Sequence, residues 1–188
     1  MAMLLRHGFH GLGMQALLSA AETPKGSFYH FFHDKEDFAL QTIDYYLGGV
    51  HVVLSASLSS TDRPPLARIR LFFETVEQSY QSDGYLGCLM GGLGQELSGV
   101  SARFRVSIER CFTEIADGLR SCLEEAQAHG QIAAEAEPRR LAVLLVDCWE
   151  GAALRSRLRS SPEPLRAMLD FYFGAVGIAA PNDEPAAG

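Results

Sequence analysis

Apolar residues recur at three- and four-residue steps along almost the whole chain, and few segments alternate as a half-buried strand would. That spacing confines the chain to packed amphipathic helices, an all-α fold class. The longest run is Phe104, Ile108, Cys111, Ile115, Leu119, Cys122 and Ala126. It stops at His129-Gly130, where glycine suits the position just past a helix end. After Pro138 the stripe is Leu141, Leu145, Cys148 and Ala152. From Pro162–Pro164 it is Leu165, Met168, Leu169, Tyr172, Phe173 and Val176. Upstream, Leu66, Ile69, Phe72, Phe73 and Val76 follow a loop, Ser59–Pro65, and Ser82-Asp83-Gly84 breaks the chain before a glycine-rich segment, Gly87–Gly94.

Toward the N-terminus the pattern shortens. Several short helices fill the first 35 residues, punctuated by Gly8, Gly11, Gly13, Pro24 and Gly26. A longer helix runs from Asp34 to about Ser57, with Asp34 as N-cap and Glu36 and Asp37 where the helix dipole favours carboxylates. Gly48-Gly49 is expected to interrupt it, at about 1 kcal/mol per glycine, and is a candidate hinge. The resulting organisation is a small module over 1–47, a helical body over 48–179 and a disordered tail over 180–188.

No apolar run approaches the roughly 18 residues that cross a bilayer. Arg6, His7 and His10 interrupt the apolar start, and no small-residue cleavage site follows, so a cytoplasmic location and no membrane are expected. Cys88, Cys111, Cys122 and Cys148 form no C-x-x-C pair and are expected to be thiols. His30 and His33 lack a third ligand, and no Gly-Lys-Ser/Thr follows the glycines, so neither metal nor nucleotide cofactor is expected. The net charge is −7. Even over 1–47, Arg6, Lys25 and Lys35 face Glu22, Asp34, Glu36, Asp37 and Asp44. Nucleic-acid binding through bulk charge is thereby disfavoured, and a DNA reading rests on local geometry.

That geometry lies in the first 38 residues. Met14–Ala20 reads as a short helix, Ala21-Glu22-Thr23 as a tight turn, and Pro24–Phe32 as a second short helix, with Thr23 capping it and Pro24 at its first position. Two short helices across such a turn form a helix-turn-helix, whose second helix enters the major groove. Gly26 lets the backbone approach a phosphate, Lys25 supplies charge, and free amides at the helix start bind anions.

Gly8-Phe9, the run Lys25-Gly26-Ser27-Phe28-Tyr29-His30-Phe31-Phe32 and the pair Lys35-Glu36 resemble, in order and spacing, the N-terminal signature of TetR-type transcriptional regulators. The resemblance implies a repressor with Lys25, Gly26, Ser27, Tyr29, His30 and Lys35 facing operator DNA. Thr23 joins them as a candidate, while Phe9, Leu17, Phe28 and Phe32 form the module's core. Gly13 stands where the family carries a capping Thr or Ser. The family's opening helix starts before Met1, so the resemblance also implies missing first turns. The segment Gly87–Ser98 is similar to the NemR and AcuR type of regulator, which answers reactive or unsaturated small molecules, with a sensing cysteine matching Cys88.

On that resemblance Cys88 is a candidate sensor thiol, and a glycine-rich turn near a helix start would lower its pKa. The alternative is a buried, inert thiol. Phe72, Tyr80, Phe104, Phe112 and Trp149 are candidate walls of an effector cavity, with plain core as the alternative. The last two helices are expected to pair with their mates in a homodimer that holds two recognition helices roughly 34–36 Å apart. Effector binding would then spoil that spacing, with the helix from Asp34 as lever. Two other readings stay open: a truncated sensing module with weak DNA binding, and a small helical enzyme using Cys88 or Trp149.

Overall fold

The computed structural model describes residues 1–177, and among them the chain forms nine helices. They are α1 (Ala2–Gly11), α2 (Met14–Ala20), α3 (Lys25–Phe31), α4 (Lys35–Leu58), α5 (Pro65–Ser82), α6 (Leu89–Leu97), α7 (Ala102–Ala128), α8 (Pro138–Arg159) and α9 (Glu163–Val176). The expected tail, 180–188, lies outside the described residues. Helix starts follow the sequence signals: Asp34 Oδ1 accepts from the Asp37 amide at 2.8 Å, and α5 and α8 open with proline in their first turn. No described helix is long and apolar enough to cross a membrane.

Three local expectations are corrected. Gly48-Gly49 does not interrupt α4, which runs unbroken for 24 residues. Burial of Ile43, Leu47 and Leu54 along its inner side offsets the glycines' poor helix propensity. The glycine context expected to be turn-like is instead largely helical. Gly91, Gly92 and Gly94 lie inside α6, because Leu89, Met90, Leu93 and Leu97 bury one complete stripe. Thr23 does not cap α3: its hydroxyl donates to the Ala21 carbonyl at 2.9 Å, and Pro24 occupies the cap position.

The apolar packing does not divide at residue 47. One core joins Leu4, Leu12, Leu17, Phe28, Ile43 and Leu47 to Leu93 and Leu97 of α6 and to Phe104, Ile108 and Cys111 of α7. The other fills the body between α5, α7, α8 and α9 around Phe73, Leu119, Leu123, Leu145 and Leu165. Cys88, Phe112 and Ile115 pack against both cores and mark the seam. On the far side, Leu144, Leu154 and Leu158 of α8 and Phe171 of α9 stay exposed, Phe171 by 79%.

Candidate nucleic-acid interface and effector cavity

The α2–turn–α3 pair is held from beneath by Phe28, which is 5% exposed and packs on Phe32 and Phe38. With Phe28 inward, Lys25, Gly26, Ser27, Tyr29 and His30 stand exposed on one outer surface, and Thr23 is half-buried beside them. Glu22 adopts a φ of 49° in the turn, a left-handed value that sharpens the reversal. Phe31 is 70% exposed next to His30, an apolar ring the sequence reading left unassigned.

Four of the module's five carboxylates are engaged away from α3, and Glu22 stands exposed in the turn before it. Asp34 caps α4. Asp37 accepts from the His33 amide at 2.9 Å, which, with Gln41, holds its carboxyl below the ordinary value. Glu36 meets Ser101 and Arg103, and Asp44 pairs with Arg110. Of the module's acidic residues, only Glu22 therefore lies beside the α3 surface without a partner among the described residues. Lys35 departs from expectation. Its ammonium donates to the Phe9 carbonyl at 2.5 Å and lies 4.4 Å from the centre of the Phe9 ring. It stitches α4 to α1 from a half-buried position.

The joint between α1 and α6 is built on Glu96. Its carboxylate accepts from the Phe9 amide at 2.7 Å, the His10 amide at 2.5 Å and His10 Nδ1 at 2.7 Å. Partial burial opposes ionisation, yet the two amides and the ring together hold this carboxyl below its ordinary value. Gly8 makes the approach possible. It breaks the helical path with φ 68°, and a Cβ there would stand 2.6 Å from Glu96 Oε2.

Behind the joint lies a cavity of about 30 Å³ bounded by α4 through α8. Phe72 and Tyr80 from α5, Phe112 from α7 and Trp149 from α8 line it, and Cys88 opens onto it. The Trp149 ring centre is 4.7 Å from that of Phe73, and its indole N–H donates to the Tyr80 hydroxyl at 3.4 Å. Five of the six residues named from sequence thus converge. Phe104 does not: it is fully buried at the joint, edge-on to Phe9 at 5.4 Å. Two polar residues were missed, Tyr46 and Glu150. Neither carries a sequence signal, since a single tyrosine or glutamate on an amphipathic helix reads as surface.

Cys88 is the N-cap residue of α6, as a turn-and-helix reading anticipates. Its thiol is nevertheless pushed well above the ordinary value, not below it. Burial is the first cause and the neighbouring Glu150 carboxylate the second, outweighing the Gly91 amide that favours the thiolate. Burial likewise raises Glu150, to about 7, and raises the Tyr46 and Tyr80 phenols. The Tyr46 hydroxyl lies 3.8 Å from Cys88 Sγ. Cys88 also borders a second pocket of about 250 Å³ at the joint, lined by Arg6, His7, Glu96 and Arg157. The thiol therefore sits between the aromatic cavity and the base of the α1–α3 module. Cys111 and Cys122 are buried in the two cores, and Cys148 is exposed on α8.

Residues 1–42 match the description "Bacterial regulatory proteins, tetR family", and residues 65–172 match "Tetracyclin repressor-like, C-terminal domain". The chain belongs to the TetR family. It is 36% identical to the transcriptional regulator AcuR of Cereibacter sphaeroides over 87% of this chain and 75% of that one. It is 31% identical to the transcriptional repressor NemR of Escherichia coli over 88% and 83%. Its fold superposes on the crystal structure of a TetR regulatory protein from Rhodobacter sphaeroides with a TM-score of 0.88 and 34% identity, covering 92% and 93%. Within the TetR family, regulators bind operator DNA and small-molecule effectors and work as dimers. The homologues are transcriptional regulators.

Proposed function

We propose that the protein is a cytoplasmic, non-enzymatic repressor. It binds an operator as a homodimer and is released by a small unsaturated electrophile at the aromatic cavity beside Cys88. The carrying observation is the seam position of Cys88, which borders both the cavity and the joint with α1. In this reading Lys25, Gly26, Ser27, Tyr29 and His30 contact phosphates or base edges, with Thr23 at their margin. Lys35 positions the module from behind.

The cavity of about 30 Å³ holds a single water-sized group, so an effector has to part its walls. Swelling between α4, α6 and α8 then shifts α6. Because Glu96 ties α6 to Phe9 and His10, the module moves with it. A changed spacing of the two α3 helices lowers affinity without altering a single DNA-facing residue. The dimer in this account forms through α8 and α9.

An electrophoretic shift on the intergenic DNA upstream of the coding sequence tests the proposal, with and without methyl vinyl ketone, in wild type and Cys88→Ser. Release in wild type alone supports covalent sensing. Release in both indicates a noncovalent effector and removes the thiol from the account. No shift under any condition, with the dimer intact, refutes the repressor reading.

A further inference from the structure

Glu150 is a carboxylate facing an aromatic cavity in which no lysine, arginine or histidine takes part. An unpaired charge in such a place is costly, and nothing in the packing of α8 requires it. The titratable groups around it are Tyr46 of α4, Tyr80 of α5, Cys88 at the start of α6 and Cys111 of α7. Its location is made by Gly91. A Cβ built on that residue would overlap Glu150 Oε2 and stand 3.7 Å from Cys88 Cβ. The missing side chain at 91 leaves the space that the Glu150 carboxylate occupies beside Cys88, and both groups line the same cavity.

We propose that Glu150 is the proton acceptor and donor for Cys88, so that thiol and carboxylate together form the reactive unit that captures an α,β-unsaturated carbonyl compound. The inference rests on the covalent-sensing reading above. The step balances without any further reactant. Glu150 takes the thiol proton as Cys88 sulfur adds to the β-carbon. The S–H bond breaks, the C–S bond forms, and the alkene π pair moves toward the carbonyl as an enolate. Glu150 then returns the proton to the α-carbon, leaving a thioether and its own carboxylate restored. The Tyr46 hydroxyl, beside the sulfur, steadies the developing negative charge.

The arrangement also accounts for a thiol whose own ionisation is suppressed. The pair carries one negative charge near neutrality, and proton transfer moves that charge from oxygen to sulfur without burying a second. A thiolate formed alone, beside an ionised Glu150, would place two charges in the cavity. Cys88 is thereby kept silent until a carbonyl compound is lodged against it. Glu150, raised to about 7, sets the pH at which the pair becomes competent.

The test is the rate of adduct formation at Cys88 with methyl vinyl ketone across pH 5.5–9, mapped by peptide mass spectrometry in the full-length dimer. A Cys148→Ser background removes the exposed thiol. Wild type is expected to show a rate that rises through the region of pH 7 and levels off, below the roughly 8.5 at which a free thiol titrates. Glu150→Gln should react at least tenfold more slowly at pH 7.5 and lose that inflection. Gly91→Ala should be slowed as well, because it displaces the carboxylate without removing it. If Glu150 only repels the thiolate, Glu150→Gln will react faster than wild type, which overturns the proposal. An unchanged rate, or no wild-type adduct at Cys88, overturns it too. Operator binding by the untreated variants controls for folding. Adduct formation with the expected profile but without operator release would leave the Glu150 assignment standing and refute covalent sensing as the release signal.

Discussion

At the scale of single residues, charge placement separates groups that look alike in the sequence. Lys25 and Lys35 both lie in the family signature, yet Lys25 is free at the start of α3 while Lys35 is bound to Phe9. Lys25→Ala should weaken operator binding by about 1 kcal/mol and flatten the dependence of log affinity on log salt by about one unit. Lys35→Ala should instead lower thermal stability of the module, seen as a reduced melting temperature without DNA. Glu150 gives a pH prediction with a definite sign. Its folded pKa of about 7 lies above the ordinary 4.5, so its contribution to stability is present at low pH and fades as pH rises between those values. Denaturant unfolding of Glu150→Gln and wild type should therefore show a gain for the variant that grows by about 2–3 kcal/mol from pH 5 to pH 8. A gain that shrinks with pH would contradict the assigned burial.

At the scale of elements, α4, α6 and α7 each connect cavity and module. The Cβ atoms added by Gly48→Ala and Gly49→Ala meet nothing within 4 Å. The double variant should thus raise stability by up to about 1 kcal/mol per site. If α4 bends at the pair, it should also blunt effector-driven release in the shift assay; an unaltered response would remove the hinge. Glu96→Ala cuts the α6 route, and should leave effector binding intact while weakening release severalfold. The helices α4, α5, α8 and α9 were legible in sequence, since apolar period and proline or aspartate starts coincide there, and α7 by its long apolar period and its His129-Gly130 end. Helix α6 was hidden by its glycines, whose low propensity is overridden by a buried stripe. Phe104 was misplaced because periodicity fixes the face of α7 but not the height. It lies eight residues from Phe112, about 12 Å along the axis, and reaches the joint instead of the cavity. The Cys88–Glu150 juxtaposition was invisible, as it depends on two helices far apart in sequence meeting over Gly91.

At the scale of the whole molecule, the proposed mechanism depends on two copies holding their α3 helices at a set distance. The exposed apolar residues on α8 and α9 predict that Leu158→Asp or Phe171→Asp yields a folded monomer by sedimentation, with operator affinity lost although every α3 residue is intact. The seam formed by Cys88, Phe112 and Ile115 then lets one small adduct act on both cores at once. The most direct measurement is the distance between the two modules of one dimer, by pulsed electron resonance with spin labels on an azido side chain replacing the exposed Gln15 of α2. A single distance population is expected in the operator-competent protein. Reaction of Cys88 with methyl vinyl ketone should shift that population by several ångströms, together with loss of operator binding. An unchanged distance in dimers that have released their DNA would contradict the account.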